Sequence, residues 1–316
     1  MTEAELLEIE AKKSGKRINY YISGFLVGTA VVALIGVPWY LIAYWEDFKA
    51  HWVFHLVYFS IMFWFAAGSI TLGYHRLFSH LSFKASAPVK LFTLIFGAAA
   101  FEGSAIEWTT DHREHHKHVD HDEDPYNINK GIFWAHIGWL FVKFRIDPPF
   151  DNAKDLLQDK MVMWQHRNFV KIAILVSFAL PPLIGWFVGG PITALGAFLI
   201  GGFLRVVAVQ HATFAINSLC HYIGDRPYDD KVSARDSWFV ALVTFGEGYH
   251  NFHHTFQHDY RNGVKPWQFD PTKWTVWVLN KIGMVTDVRT VPDQKIKEAE
   301  AAVRQRQLAT KGGSSV

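Results

Sequence analysis

Cysteine is almost absent from this chain: Cys220 stands alone among 316 residues, so no intrachain disulfide can staple the fold. A lone thiol fits a site facing a reducing compartment. An excess of charge of either sign is also missing, with Lys+Arg 31 against Asp+Glu 29, which leaves no case for nucleic acid as a partner. Neither an internal repeat nor a linker between domains is visible. What the chain has instead is apolar sequence in long, unbroken runs. Hydrophobic residues make up 50% of it, and runs of this length read as membrane spans rather than as a soluble core.

Four runs are long enough to cross a bilayer: 20–45, 52–74, 170–188 and 191–214. The first carries no charge until Glu46, and Glu3, Glu5, Glu8 and Glu10 before it argue against a cleavable signal. The segments 88–101 and 131–142 are too short; the second, with Trp134 and Trp139, reads as an aromatic interfacial helix. Four spans put both termini on one side. The short links 46–51 and 189–190 then lie opposite, and 1–19, 75–169 and 215–316 share a face. Lys12, Lys13, Lys16 and Arg17 mark that face as cytoplasmic. The expectation is an all-α integral membrane protein, four transmembrane helices under a cytosolic helical cap. A cytosolic segment 1–19 precedes one body, 20–290, and a flexible tail, 291–316, reads as a frayed helix ending in disorder.

Imidazole gathers where these runs end. The stretch "DHREHHKHVD", 111–120, holds four histidines. His75 and His80 follow the second span, His221 the fourth, and "GEGYHNFHH" ends in His250, His253 and His254. With His112, His115 and His116 that makes nine on the inferred cytoplasmic face. Both triplets have the i, i+3, i+4 spacing of one helical face, and Asn217 and His221 are an i, i+4 pair. His75 and His80, i and i+5, do not share a face of a regular helix and point to a bend or a helix end. Nine neutral imidazoles exceed what one metal needs and suit two, forming a histidine-rich dimetal site; ligand type alone does not choose among Zn, Fe, Cu and Ni. Structural zinc usually recruits Cys, and soluble di-iron bundles use carboxylates. Here Asp111, Glu107, Asp124 and Glu247 are placed to accept imidazole N–H groups or to stand as solvated charges. His118, His121, His136, His166, His211 and His258 read as hydrogen-bonding or surface residues. Arg205, a charge inside a span, reads as facing the bundle interior.

The phrases "HRLFSH" (75–80), "HREHH" (112–116), "NSLCH" (217–221) and "HNFHH" (250–254) resemble the histidine boxes of membrane fatty acyl desaturases, the acyl-CoA delta-9 (stearoyl-CoA) type in particular. The resemblance runs from about Gly68 to Asp270 and takes in "EDPYN", "GWLF" and "WQHR". It implies two Fe, for which zinc can substitute in over-expressed protein, O2 as co-substrate, and a cis double bond made in a long-chain saturated acyl-CoA. It also implies that one iron takes His75, His80, His112, His116 and His254, and the other His115, His221, His250 and His253, with Asn217 acting through a water.

A featureless acyl chain can be read only by depth and shape, so a hydrophobic tunnel must set the distance to the metals. Trp108 and Thr213 match the residues at which the family's tunnel bends, and Glu102 stands where the family often has Gln. A carboxylate there is costly unless paired or protonated. Phe63 and Ala67 match positions that limit chain length, with simple packing or lipid contact as the alternative. Acyl-CoA enzymes often carry Arg where this chain has Thr110, and Lys143 begins an altered basic pattern after "GWLF", so acyl-lipid and acyl-carrier-protein substrates stay open. After His254 the one remaining histidine is His258, too few for a fused haem domain. A separate electron donor is expected: cytochrome b5, ferredoxin or an iron–sulfur reductase. Residence is multi-pass among membrane lipid, both termini cytoplasmic, in a bacterial cytoplasmic membrane or, in a eukaryote, the endoplasmic reticulum. A histidine-box hydroxylase would use the same oxidant. A membrane metal transporter would hold its ligands near the bilayer midplane, and a zinc hydrolase would leave six histidines unexplained.

Overall fold

The computed structural model describes residues 17–143 and 150–312. Three of its helices are long and apolar enough to cross a membrane: α1 (Tyr20–Ala43), α2 (Trp45–Ser79) and α5 (Lys160–His221). A straight helix of 62 residues would reach ~90 Å, three times the hydrocarbon core. α5 instead doubles back. Gly190 takes φ 79, ψ −161, a conformation closed to other residues, and Pro191 restarts the helix. The two legs run antiparallel, with Phe178 4.7 Å from Phe203 and 6.1 Å from Phe198 between ring centroids. The bundle therefore has four legs, compatible with the four expected spans. Leu34, Ile42, Leu175 and Phe187 are exposed on its outside, as lipid-facing side chains are.

The turns between legs are fastened to one another. Tyr40 donates to Asp47 at 3.1 Å, and Thr193, at the start of the last leg, donates to the same carboxylate at 3.1 Å. α3 (Ala87–Ala98), too short to span, lies against α2. At Gly73 the two approach so closely that a Cβ would stand 2.4 Å from Thr93 Cβ, which only glycine permits. α4 (Ala105–His118) begins at a capping box of Ser104 and Glu107. After α5 come a short helix at Trp238–Val243 and then α6 (His250–Thr255) and α7 (Pro271–Lys281).

Two expectations are corrected. The stretch 131–142 is not one interfacial helix but a turn of helix, Ile132–His136, a 3-10 turn, Gly138–Phe141, and a strand pairing with Arg17–Ile18. The tail is not loose from 291: α8 (Asp293–Gly312) buries Ile296 and Val303. Ile296 packs with Tyr228 and Phe252, and Arg306 pairs with Asp230 at 2.7 Å. Residues 296, 299 and 303 share one apolar face, which is why the helix docks.

Candidate metal centre

α2 ends in a π-helix, Ile70–Ser79, and His80 N donates to His75 O at 3.1 Å across five residues. That i to i+5 pitch puts His75 and His80 on one face, and of the expected bend or helix end it is the helix end that is found, since the helix stops at Ser79 with His80 as its C-cap. α4 presents His112, His115 and His116, and α6 presents His250, His253 and His254. Asp236 fixes the start of α6 by accepting from Asn251 N at 2.8 Å and Phe252 N at 3.1 Å. His221 closes α5.

The nine imidazoles form two sets, His75, His80, His112, His116 and His253, and His115, His221, His250 and His254, the ring nitrogens of each lying within 4.8 Å of one another. This corrects the expected allotment at two positions: His253 stands with the first set and His254 with the second. α4 and α6 behave alike. Each gives its i, i+4 pair to one set and its i+3 histidine to the other, because i+3 and i+4 flank i on opposite sides of one helical face, about 60° and 40° around the axis.

The donor chemistry fits two cations. His115 Nδ1 lies 2.9 Å from Asp124 and His75 Nδ1 3.0 Å from Glu247. A carboxylate only accepts, so the hydrogen bond to Asp124 places the His115 proton on Nδ1 and turns its Nε2 lone pair inward. Inward-facing Nε2 atoms crowd to 2.8 Å for His80 and His112, 3.0 Å for His75 and His253, and 3.1 Å for His250 and His254. Two nitrogens at right angles on a ~2.1 Å metal bond stand ~3 Å apart. Burial first, and neighbouring imidazoles second, hold His80, His112, His116, His250, His253 and His254 well below the usual histidine range, so they are neutral and ready to ligate at neutral pH. Burial alone would raise the Glu247 carboxyl; His75 and Arg76 outweigh it and bring it down to about 2.

The family model described as fatty acid desaturase matches residues 50–277. The chain belongs to the fatty acid desaturase family. It is similar to acyl-CoA desaturase 1 of Saccharomyces cerevisiae, 40% identical over 89% of this chain and 55% of the relative. A probable acyl-CoA desaturase of Schizosaccharomyces pombe is also 40% identical, over 87% and 57%. Stearoyl-CoA desaturase 5 of Bos taurus is 35% identical over 90% and 82%. The chain thus spans little more than half the length of its two fungal relatives.

In this desaturase-family chain a cavity reaches the first histidine set between α2, α4 and the last leg of α5. Ile70, Thr71, His75, Trp108, His112, Thr213, Ile216, Asn217 and Glu247 line it. The two expected bend residues, Trp108 and Thr213, therefore meet there, and the Trp108 ring stacks on His112 with centroids 4.8 Å apart. Asn217 lines the same wall. Both Glu102 oxygens are buried without a hydrogen-bond partner among the described residues. Burial pushes this carboxyl up to about 8, against weak opposition from Thr213 and Trp108, so of the two acceptable states it takes the protonated one. Ala67 is buried, which removes the lipid-facing alternative, and Phe63, Ala67 and the cavity residue Thr71 follow one another at single-turn intervals. The Lys143 side chain lies outside the described residues.

Of the four acids expected near imidazole, Asp124 and Glu247 contact it. Glu107 accepts instead from Ser104 N at 2.8 Å as a helix cap, a correction explained by its place three residues after the N-cap. Asp111 is half-buried, one residue before His112. Sequence reasoning missed three supports. Tyr126 Oη lies 3.3 Å from His112 Nδ1. Ser233 Oγ lies 2.6 Å from His221 Nδ1 and donates to Asp120. Arg76, fully buried, donates to Glu247 at 2.9 Å, Asp270 at 3.1 Å and Tyr260 O at 2.7 Å. A charge directly after a candidate ligand, inside an apolar helix, was a legible signal for Arg76; Ser233 offered none. Arg205 faces the interior, its guanidinium donating to Ala99 O at 2.6 Å.

Proposed function

We propose that the chain is an O2-dependent acyl-CoA desaturase that introduces a cis double bond, delta-9, into a long saturated acyl chain. The observation that carries the reading is the pairing of two adjoining imidazole sets with a mainly apolar cavity that reaches the first of them at His75 and His112. The ten residues His75, His80, His112, His115, His116, Asn217, His221, His250, His253 and His254 would hold two irons, and zinc competes well for the same imidazoles. A di-iron centre there would supply, with O2, the oxidising power to remove two hydrogens from adjacent unactivated methylenes. The protein's own residues do the rest. Asp124 and Glu247 orient imidazoles. Ile70 and Ile216 exclude water beside His75. Trp108 and Thr213 bend the chain where the reacting carbons lie, and Phe63 and Ala67 bound its far end. Asp111 steadies the start of the ligand triplet, and Lys143 meets the phosphates of the CoA head group. The histidines face the cytoplasm, where an electron donor (cytochrome b5, ferredoxin or an iron–sulfur reductase) would deliver two electrons.

The test is to express the chain in cells lacking their own desaturase, feed deuterated stearoyl and palmitoyl substrates, and identify products by mass spectrometry. Cis mono-unsaturated products in the acyl-CoA pool support the reading. Hydroxylated products, or unsaturation that first arises in intact phospholipid, overturn it in reaction type or in substrate.

A further inference from the structure

We propose that Asp120 and Ser233 form a hydrogen-bonded strut that fixes which nitrogen of His221 carries the proton, and so makes them positioning residues for the second histidine set. The inference rests on the two-metal reading above.

Asp120 follows α4 and anchors the strut. Its backbone takes φ 67, a left-handed conformation that non-glycine residues enter only at a cost. From there one carboxylate oxygen accepts from Ser233 N at 2.7 Å and the other from Ser233 Oγ. A serine hydroxyl has one proton, and a carboxylate can only accept. Ser233 therefore directs its proton to Asp120, and its oxygen is left as an acceptor. His221 Nδ1, 2.6 Å away, must be the donor. In a neutral imidazole that leaves Nε2 bare, and His221 Nε2 is buried with no hydrogen-bond partner among the described residues. It faces the rest of its set, with ring centroids 5.1 Å from His115, 4.9 Å from His250 and 5.1 Å from His254. Within that set His115 has Asp124 as its acceptor, whereas His250 Nδ1 has none among the described residues. The strut is thus the second of two fixed points. It also ties the loop after α4 to the loop after α5, so the strain at Asp120 goes into holding two ligand-bearing elements in register.

The experiment uses the full chain purified in detergent, loaded with Fe(II) without oxygen and then challenged with a chelator. Iron per chain and the ferrous Mössbauer spectrum are followed. Wild type should hold two irons. Ser233→Ala should release one of them 10–100-fold faster, the usual cost of losing an acceptor behind a histidine ligand, with one quadrupole doublet fading and the other unchanged. Ser233→Thr keeps the hydroxyl and should keep both irons. Asp120→Gly relieves the backbone yet removes the carboxylate, and should behave like Ser233→Ala. Wild-type retention in Ser233→Ala or in Asp120→Gly overturns the strut, and so does a Ser233→Thr that loses iron as the alanine variant does. If wild type bound no pair of irons, the two-metal reading would fail by itself. The strut is then judged from 15N spectra of the metal-free protein, where wild-type His221 should be protonated at Nδ1 and Ser233→Ala should show a tautomer mixture. An identical tautomer in both overturns it.

Discussion

Glu102→Gln isolates the effect of one buried carboxyl. Its oxygens have no hydrogen-bond partner among the described residues, and burial raises it from 4.5 to about 8. Between those values the folded chain holds a proton that the unfolded chain has released. Stability must then fall as pH climbs through that window, level off above it, and be unaffected by this group below it. At ~1.4 kcal/mol per pH unit the full cost approaches ~5 kcal/mol, an upper figure because any entry of water reduces it. Glutamine does not titrate and matches the neutral acid in shape, so the variant should melt within a few degrees of wild type at pH 5. At pH 9 it should melt well above it, by ~10 °C on the usual ~2–4 °C per kcal/mol for domains of this size. The assay is thermal unfolding of both proteins in one detergent at half-unit pH steps, read as the gap between them. A gap that stays flat from pH 5 to 9, or that favours wild type in alkali, refutes the placement of a protonated acid beside Thr213 and Trp108.

The regrouped ligands make a separate claim: His253→Ala should empty the set of His75 and His80, and His250→Ala the set of His115 and His221, as resolved by Mössbauer doublets. Both variants, like His115→Ala, should fall below a tenth of wild-type desaturation while inserting normally, and His136→Ala, bonded to Ser218 at 2.8 Å outside both sets, should stay well above that level. Ala67→Tyr should overfill a buried position at ~1–3 kcal/mol. Products from longer acyl chains should then drop about tenfold relative to shorter ones with the double bond unmoved, and an unchanged chain-length profile would take Ala67 out of the tunnel. Arg76→Met removes the buried guanidinium that Glu247 and Asp270 share, so a loss of ~3–5 kcal/mol is expected in urea or thermal unfolding.

Much of this was legible because the histidines lie at the ends of apolar runs, where hydropathy fixes their depth. The four-legged bundle follows from length: 62 helical residues cannot cross once, and "GGP" at 189–191 supplies the reversal. Spacing failed where helix geometry departs from 3.6 residues per turn. Nothing in "HRLFSH" announces a π-helix, so His75 and His80 looked misaligned. It failed again at His253 and His254, since both neighbour His250 on a helix and only the packing of α6 against α4 decides which way each points. Polar supports from distant segments, such as Ser233 behind His221, are invisible in principle, because the pairing is made by tertiary structure alone. The tail misled through its composition: a charged, alanine-rich stretch reads as solvated until Ile296 meets Phe252 and its neighbours and Val303 is buried.

α4 and α6 each serve both histidine sets, and this sharing limits how the centre can change over generations. Inserting or deleting one residue within either helix would rotate everything beyond it by ~100°, misaiming ligands of both sets in a single event. No intermediate with one intact half is accessible by such a step. Loops elsewhere in the chain, such as those flanking the tail helix, are free to lengthen, shorten or acquire new segments. Between His112 and His116, and between His250 and His254, lineages can exchange only one side chain for another, so the spacing of these two boxes should outlast nearly every other feature of the sequence.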